Sequence, residues 1–284
     1  MSPRSDERLG IVGLGAIGGS LALALRDQGS LIAWSRDSVD RTAAAAAGIR
    51  ICAGDDFGWL RDFANATIVV IAVPLDEVAS VARAVLTVVP NDALLLHTAS
   101  LQRREAVGLS DADWPRVVGT HPIAGSERSG FAAAAATMFQ RATLRAEARA
   151  TDAEGRRIEA LWGAAGVDHI VWGDAAAHDD LMSWVSHLPQ LTATALAAVL
   201  AQQRIGPHDA GPGARDATRL ASSDLAMWKA ILMNASRETP TALRRLTAIL
   251  EALAAAVEAK DHARIAKHWE EAHVWRRGVA EKQA

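Results

Sequence analysis

The chain has 284 residues and 30.0 kDa, is 50% hydrophobic and 22% charged, and carries a net charge of −3. That length holds two ordinary domains, the composition excludes long disorder, and a lone cysteine, Cys52, excludes a disulfide-built scaffold. Neither half is basic enough to mark a nucleic-acid footprint, no apolar run reaches the roughly 18 residues of a membrane span, and the start MSPRSDERLG has charges where a secretion signal needs an apolar centre, so a cytoplasmic protein is expected.

Leu9-Gly10-Ile11-Val12-Gly13 reads as a strand ending in glycine. Leu14 to Gln28 has helical spacing, with Gly29 placed to stop it. Leu31 to Trp34 is a second apolar run. The alanine stretches Ala43–Ala47 and Ala132–Ala136 read as packed helix, because alanine is a strong helix former. Thr67 to Val73, TIVVIAV, is apolar on both faces, as a central parallel strand must be, and Pro74 ends it. Ala93–Leu96, Arg116–Gly119 and Val167–Trp172 are weaker strands. This alternation predicts an α/β fold with a doubly wound parallel sheet. Beyond Gly173 the β signals vanish. Asp174 is placed as an N-cap, and helical patterns run over 175–204, 216–235, 237–259 and 261–277, with a Gly/Pro-rich break at 206–213. The expected organisation is a dinucleotide-binding domain over 1–173 and an all-helical domain over 174–284.

Gly13-Leu14-Gly15-Ala16-Ile17-Gly18 fits G-x-G-x-x-G, after a strand and opening a helix. Gly13 permits the tight turn, Gly15 lets the backbone approach a pyrophosphate, and Gly18 lets helix and strand pack closely. Ala16 and Ile17 lie in the same turn, and Val73 at the end of the central strand joins the expected cofactor contacts. The second strand runs into Ser35-Arg36-Asp37. An acid at that end accepts hydrogen bonds from a ribose 2′-hydroxyl, whereas Ser35 and Arg36 suit a 2′-phosphate. NADP is therefore expected over NAD, with Asp37 the residue that turns the reading toward NAD if the strand end is shifted.

Three further segments carry chemistry. His121 opens His-Pro-Ile-Ala-Gly-Ser-Glu-Arg-Ser-Gly after the strand ending at Gly119, where open α/β sheets place their ligands. His178-Asp179 precedes Ser186-His187-Leu188-Pro189-Gln190, in which Pro189 must kink a helix. Arg215 and Arg219, four apart, share a helix face and could meet an anionic substrate. Read locally, each segment also fits a plain structural role: a capped turn, a satisfied kink, a pair of surface arginines.

Taken together, GLGAIGGS, HPIAGSERSG, HD-x₆-SHLP and RDATRLASSD-x₂-MW occur in the order found in prephenate and arogenate dehydrogenases, and the chain resembles that family over residues 9 to 235. The resemblance implies a Rossmann-like domain, a helical C-terminal domain that dimerises, and oxidative decarboxylation of a cyclohexadienol in tyrosine biosynthesis. It implies His121 as the base for the ring 4-hydroxyl, Ser100 as its hydrogen-bonding neighbour, Arg219 on a substrate carboxylate, and Ser186 as a pocket residue of the helical domain. Departures are visible. His97 stands where an acid is frequent, Ala99 replaces a glycine, Leu101-Gln102 replaces Val-Lys, and Arg215 replaces a lysine. Gln190 replaces the final histidine of SHLPH, which removes a positive charge from the pocket and leaves arogenate a candidate beside prephenate. No metal-ligand spacing is present. Two alternatives remain at this stage: a β-hydroxyacid dehydrogenase or imine reductase, for which Lys229 is the sole lysine before residue 260, and a non-catalytic NADP sensor.

Overall fold

The computed structural model describes residues 7–27, 30–54, 58–125, 128–206 and 208–281. Gln28 and Gly29, expected to close the first helix, lie outside the described residues, as do Ser126, Glu127 and Pro207. Seven strands form one sheet: β1 (Arg8–Val12), β2 (Ser30–Trp34), β3 (Ile68–Ile71), β4 (Leu94–His97), β5 (Val117–Ile123), β6 (Thr143–Glu147) and β7 (His169–Gly173), in the order β2-β1-β3-β4-β5-β6-β7. Every neighbouring pair is parallel except β5 and β6. Helices α1 (Ala16–Leu25), α2 (Ser38–Ala46), α3 (Leu60–Phe63), α4 (Val78–Leu86), α5 (Arg104–Val107) and α6 (Asp152–Ala164) alternate with the strands.

The period-2 alternation of strand side chains splits the core in two. Ile68 and Val70 of β3, Leu94 and Leu96 of β4 and Val118 of β5 face Leu21 of α1 and Trp162 of α6. Val69, Ile71, Leu95 and Val117 face Phe63 of α3 and Val78 and Val85 of α4. The same period puts His97, Gly119 and His121 on this second face, past the last apolar side chains.

Three elements differ from the sequence reading. β5 runs on through His121 to Ile123, because β6 pairs antiparallel with that end and sets His121 opposite Arg145. β6 itself, TLRAE, was unmarked: its buried Leu144 and Ala146 alternate with charged Arg145 and Glu147, which is not the pattern of a two-faced apolar strand. Ala132–Ala136 is not a helix; Phe131–Ala133 forms a single 3-10 turn, on which Gly19 of α1 packs so closely that a Cβ there would come within 2.8 Å of the Phe131 ring.

The helical part comprises α7 (Ala175–Met182), a π turn (Ser183–His187), α8 (Leu188–Gln202), α9 (Pro212–Thr218), a 3-10 turn (Arg219–Ser222), α10 (Leu225–Met233), α11 (Glu238–Glu258) and α12 (His262–Glu281). Asp174 caps α7 by accepting from the Ala176 and Ala177 amides at 2.8 and 3.1 Å. The continuous helix expected over 216–235 is interrupted, because Asp224 turns its carboxylate onto the Ala226 amide and starts α10 afresh. Pro189 is absorbed without a break: the Leu188 amide reaches back to the Ser183 carbonyl, widening the helix into the π turn just before the proline.

Internal contacts group the chain into two compact units, Met1–Ser236 and Arg237–Ala284. The first holds the sheet together with α7 to α10. The second is the α11–α12 pair, joined at Lys260, whose φ is 51°, and Asp261, whose amide closes α11 on the Ala256 carbonyl at 2.8 Å. None of the described helices is long and apolar enough to cross a membrane.

Candidate active site at the carboxyl edge of the sheet

Strands β1 to β4 are parallel, so their carboxyl ends share one edge, and every sheet-borne residue expected at the site follows or lies near such an end. Gly13 has φ 96°, and a Cβ on it would lie 2.3 Å from the Ala72 carbonyl oxygen. A Cβ on Gly18 would lie 1.9 Å from the Gly13 oxygen. Gly15, the N-cap of α1, has no atom within 4 Å of where its Cβ would be. Two glycines are therefore demanded by packing, while the third opens onto empty space at a helix N-terminus, as a bound pyrophosphate requires. Ala16 and Ile17 form the first turn of that helix, and Val73 follows β3 half-buried.

At the end of β2, Ser35 is buried and Arg36 is exposed. Asp37 is occupied as the N-cap of α2, accepting from the Val39 amide at 2.7 Å and the Asp40 amide at 3.4 Å. Arg41 donates to the Ser35 and Arg36 carbonyls at 2.6 and 2.9 Å, which pins the loop. The Arg36 guanidinium is held by Glu77, 2.7 Å away, at the end of the 3-10 turn Leu75–Glu77 that follows β3.

Ser100 lies partly exposed in the loop after β4, and His121 is partly buried within β5. His121 Nδ1 is 3.0 Å from His178 Nε2, and His178 Nδ1 is 2.8 Å from Asp179 Oδ1. Asp179 is fully buried; its Oδ1 also accepts from the Gln102 amide at 2.8 Å, and its Oδ2 accepts from the Arg103 amide and Nε at 3.1 and 3.0 Å. Burial opposes ionisation of this carboxyl, but the hydrogen bonds from His178 and the two amides outweigh it and hold it below its ordinary range. Burial, reinforced by His178, pushes His121 down to about 3, against the pull of Asp179. His97 at the end of β4 is fully buried, is pushed down to about 3 by that burial, and has no partner for either ring nitrogen among the described residues. Gln102 fills the place of the expected lysine. Its side chain packs over Gly119 and donates to the Arg145 carbonyl at 2.8 Å.

His178 and Asp179 were quoted in the sequence motif without a role. The signal is a pair of adjacent ionisable residues in the middle of a helix, both of them buried. Among the helical candidates, Ser186 sits in the π turn, half-buried. Gln190 is buried, and both ends of its amide are used: Nε2 donates to the Leu220 carbonyl at 2.8 Å, and Oε1 accepts from the Ser223 hydroxyl at 3.3 Å. Arg215 and Arg219 do not share a helix face. α9 ends at Thr218, Arg219 opens the 3-10 turn, and Arg215 folds back onto the Ala210 carbonyl at 3.0 Å. The Arg219 side chain is exposed, with no hydrogen bond or ion pair of its own among the described residues.

A glycine turn at a helix N-terminus, and an uncharged imidazole on the same edge of a parallel sheet, define an NAD(P)-dependent dehydrogenase with a Rossmann-like nucleotide-binding domain. Residues 21–153 match the nucleotide-binding domain of prephenate dehydrogenase, and residues 174–271 match its dimerization domain. The chain belongs to the prephenate/arogenate dehydrogenase family. It is 26% identical over 272 residues to the prephenate dehydrogenase of Lactococcus lactis subsp. cremoris, covering 92% of this chain and 74% of that protein. It is 26% identical over 279 residues to the cyclohexadienyl dehydrogenase of Zymomonas mobilis subsp. mobilis, covering 93% of each. The crystal structure of prephenate dehydrogenase from A. aeolicus, in complex with hydroxyphenyl propionate and NAD+, has the same fold, with a TM-score of 0.86 at 22% identity over 96% of this chain and 98% of that one. The dehydrogenase reading holds over the hydroxyacid, imine-reductase and sensor alternatives.

Proposed function

We propose that this chain oxidatively decarboxylates prephenate and/or arogenate, with NADP preferred over NAD, and yields 4-hydroxyphenylpyruvate or tyrosine. The observation that carries the reading is the His121 imidazole, its Nδ1 3.0 Å from His178 Nε2, on the edge that also bears the glycine turn. In this reading residues 1–173 hold the cofactor and residues 174–284 supply the substrate contacts and the dimer seam.

Arg219, with its free guanidinium, docks the ring carboxylate. Ser186 and Arg215 flank the substrate, and Gln190 holds the turn that presents Arg219. Ser100 hydrogen-bonds near the ring hydroxyl, and His121 accepts that hydroxyl's proton. The nicotinamide, when bound, supplies the hydride acceptor. Removing the proton pushes an electron pair from oxygen toward C4, so the C4 hydrogen leaves as hydride. The developing ketone then takes up the electron pair of the breaking bond to the ring carboxylate, carbon dioxide departs, and aromatisation drives the step. Holding the reacting groups at near-attack distance supplies much of the acceleration.

The preference for NADP rests on Ser35 and Arg36, with Asp37 already committed to its helix cap. Glu77 competes for Arg36, so a 2′-phosphate must draw the guanidinium away from that carboxylate. A homodimer is part of the proposal. Leu225 and Met233 in the first unit, and Leu250 and Trp275 in the second, are large apolar side chains left exposed in the single chain.

The test is reduction of NADP and of NAD by the purified chain with prephenate, arogenate and 3-hydroxyisobutyrate offered separately. Reduction with either cyclohexadienol and release of carbon dioxide is expected. Reduction with 3-hydroxyisobutyrate alone, or with none of the three, overturns the proposal.

A further inference from the structure

We propose that His178 and Asp179 are positioning residues that lock His121 in its Nδ1–H tautomer, so that the bare Nε2 is the base offered to the substrate hydroxyl. The proposal deepens the reading above and rests on His121 being that base.

The argument starts from the buried end of the chain of contacts. Four donors converge on the Asp179 carboxylate: His178 Nδ1, the Gln102 amide, the Arg103 amide and Arg103 Nε. A carboxylate so surrounded stays ionised and can only accept. The proton in the 2.8 Å contact with His178 therefore sits on His178 Nδ1. His178 Nε2 then faces His121 Nδ1 at 3.0 Å, with the rings edge-on at 75°, and one proton must lie between them.

Two placements compete. If His178 held that proton as well, it would be a cation buried to 4% exposure, and His121 would present an N–H, useless as a base, toward the ligand edge. If His121 Nδ1 holds it, both rings are neutral and Asp179 is the one charge in the chain of three. The second arrangement is favoured, because Asp179 already pairs with the Arg103 guanidinium at 3.0 Å, and a cation on His178 would be one more charge taken out of water beside it. Of the groups that act on His121, His97 from β4, Arg145 from β6 and His178 from α7 disfavour added positive charge on its ring, and Asp179 favours it. When His121 Nε2 takes up the hydroxyl proton, that one favourable charge lies two hydrogen bonds away and stabilises the imidazolium. A buried carboxylate serves a histidine in the same way, by setting tautomer and orientation without itself taking the proton. Asp179 also anchors the Gln102–Arg103 backbone just after Ser100, so a single carboxylate holds both the base and the loop of its hydroxyl neighbour.

The test uses the full chain with ¹⁵N-labelled histidine, the His121 signals being those missing from His121→Asn. In the unliganded wild type, His121 is expected with a protonated Nδ1 and a bare Nε2. His178→Leu removes the acceptor; it is expected to give a mixture of tautomers and a kcat lower by about 10²-fold, with KM and NADP affinity little changed. His178→Gln, whose amide oxygen can accept from Nδ1–H, is expected to restore the tautomer and much of kcat. A wild type with Nε2–H, or a His178→Leu protein that keeps one pure tautomer or full turnover, overturns the proposal. Because the tautomer is read without substrate, it is decided even if neither cyclohexadienol is turned over.

Discussion

Gln190 Nε2 donates to the Leu220 carbonyl at 2.8 Å, which ties α8 to the 3-10 turn that begins at Arg219. Both the amide and the turn are thus tied together beside Arg219, the arginine proposed to dock the substrate. Gln190→Leu leaves the Leu220 carbonyl without this donor and frees the turn. Its KM for the cyclohexadienol is expected to rise about tenfold, equivalent to about 1.4 kcal/mol, with kcat nearly unchanged. Arg219→Ala should raise KM at least as much. Steady-state kinetics of both variants checks the link, and a normal KM in Gln190→Leu with a raised KM in Arg219→Ala would separate the two residues.

His121→Asn keeps a polar side chain, smaller than the ring, but has no basic nitrogen. It is expected to fold, to bind NADP as the wild type does, and to lose at least about 10²-fold in kcat. Unchanged turnover would remove His121 from the reaction.

Glu77→Gln releases Arg36 while keeping the side chain's shape. Affinity for NADP is expected to increase about twofold to fivefold, in keeping with a charge-assisted contact at an exposed site, and affinity for NAD to stay constant. The double change Ser35→Asp with Arg36→Ile is expected to reverse the preference toward NAD. Quenching of tryptophan fluorescence by each cofactor measures both, and an equal response to the two cofactors would detach this loop from 2′ recognition.

His97 carries a pH dependence with a definite sign. Its folded pKa is pushed down to about 3 by burial, below the ordinary value of about 6.5. Between those values the unfolded chain binds a proton that the folded chain refuses, so stability falls as pH drops below about 6.5, by up to about 1.4 kcal/mol per pH unit for this one group. His97→Leu removes that proton. Its melting temperature is expected to change less than the wild type's between pH 7 and pH 5. Parallel melting curves would show that His97 is not the group titrating.

Short-range signals carried most of the fold. Gly13 and Gly18 announce a turn that only glycine can make, the β-branched run of β3 announces a strand buried on both faces, and Asp174 announces a cap, because each effect acts within a few residues. Strand β6 escaped notice since its burial is set by a partner strand and by ion pairing: Glu147 is buried against the Gly119 amide and Arg149, not against apolar neighbours. The break at Arg219 was equally hidden, because whether Asp224 continues one helix or caps another depends on where the chain must turn.

The amino-acid order alone therefore determined the class of fold and the glycine turn, and through the family resemblance it singled out His121, Ser100 and Arg219 as the side chains proposed to carry the chemistry. Tertiary structure decided what those side chains touch. His121 and His178 are 57 positions apart, and Gln190 and Leu220 are 30 apart. A hydrogen bond requires two groups within about 3 Å of each other, and for residues so distant along the chain that condition is met only after the sheet and helices have packed.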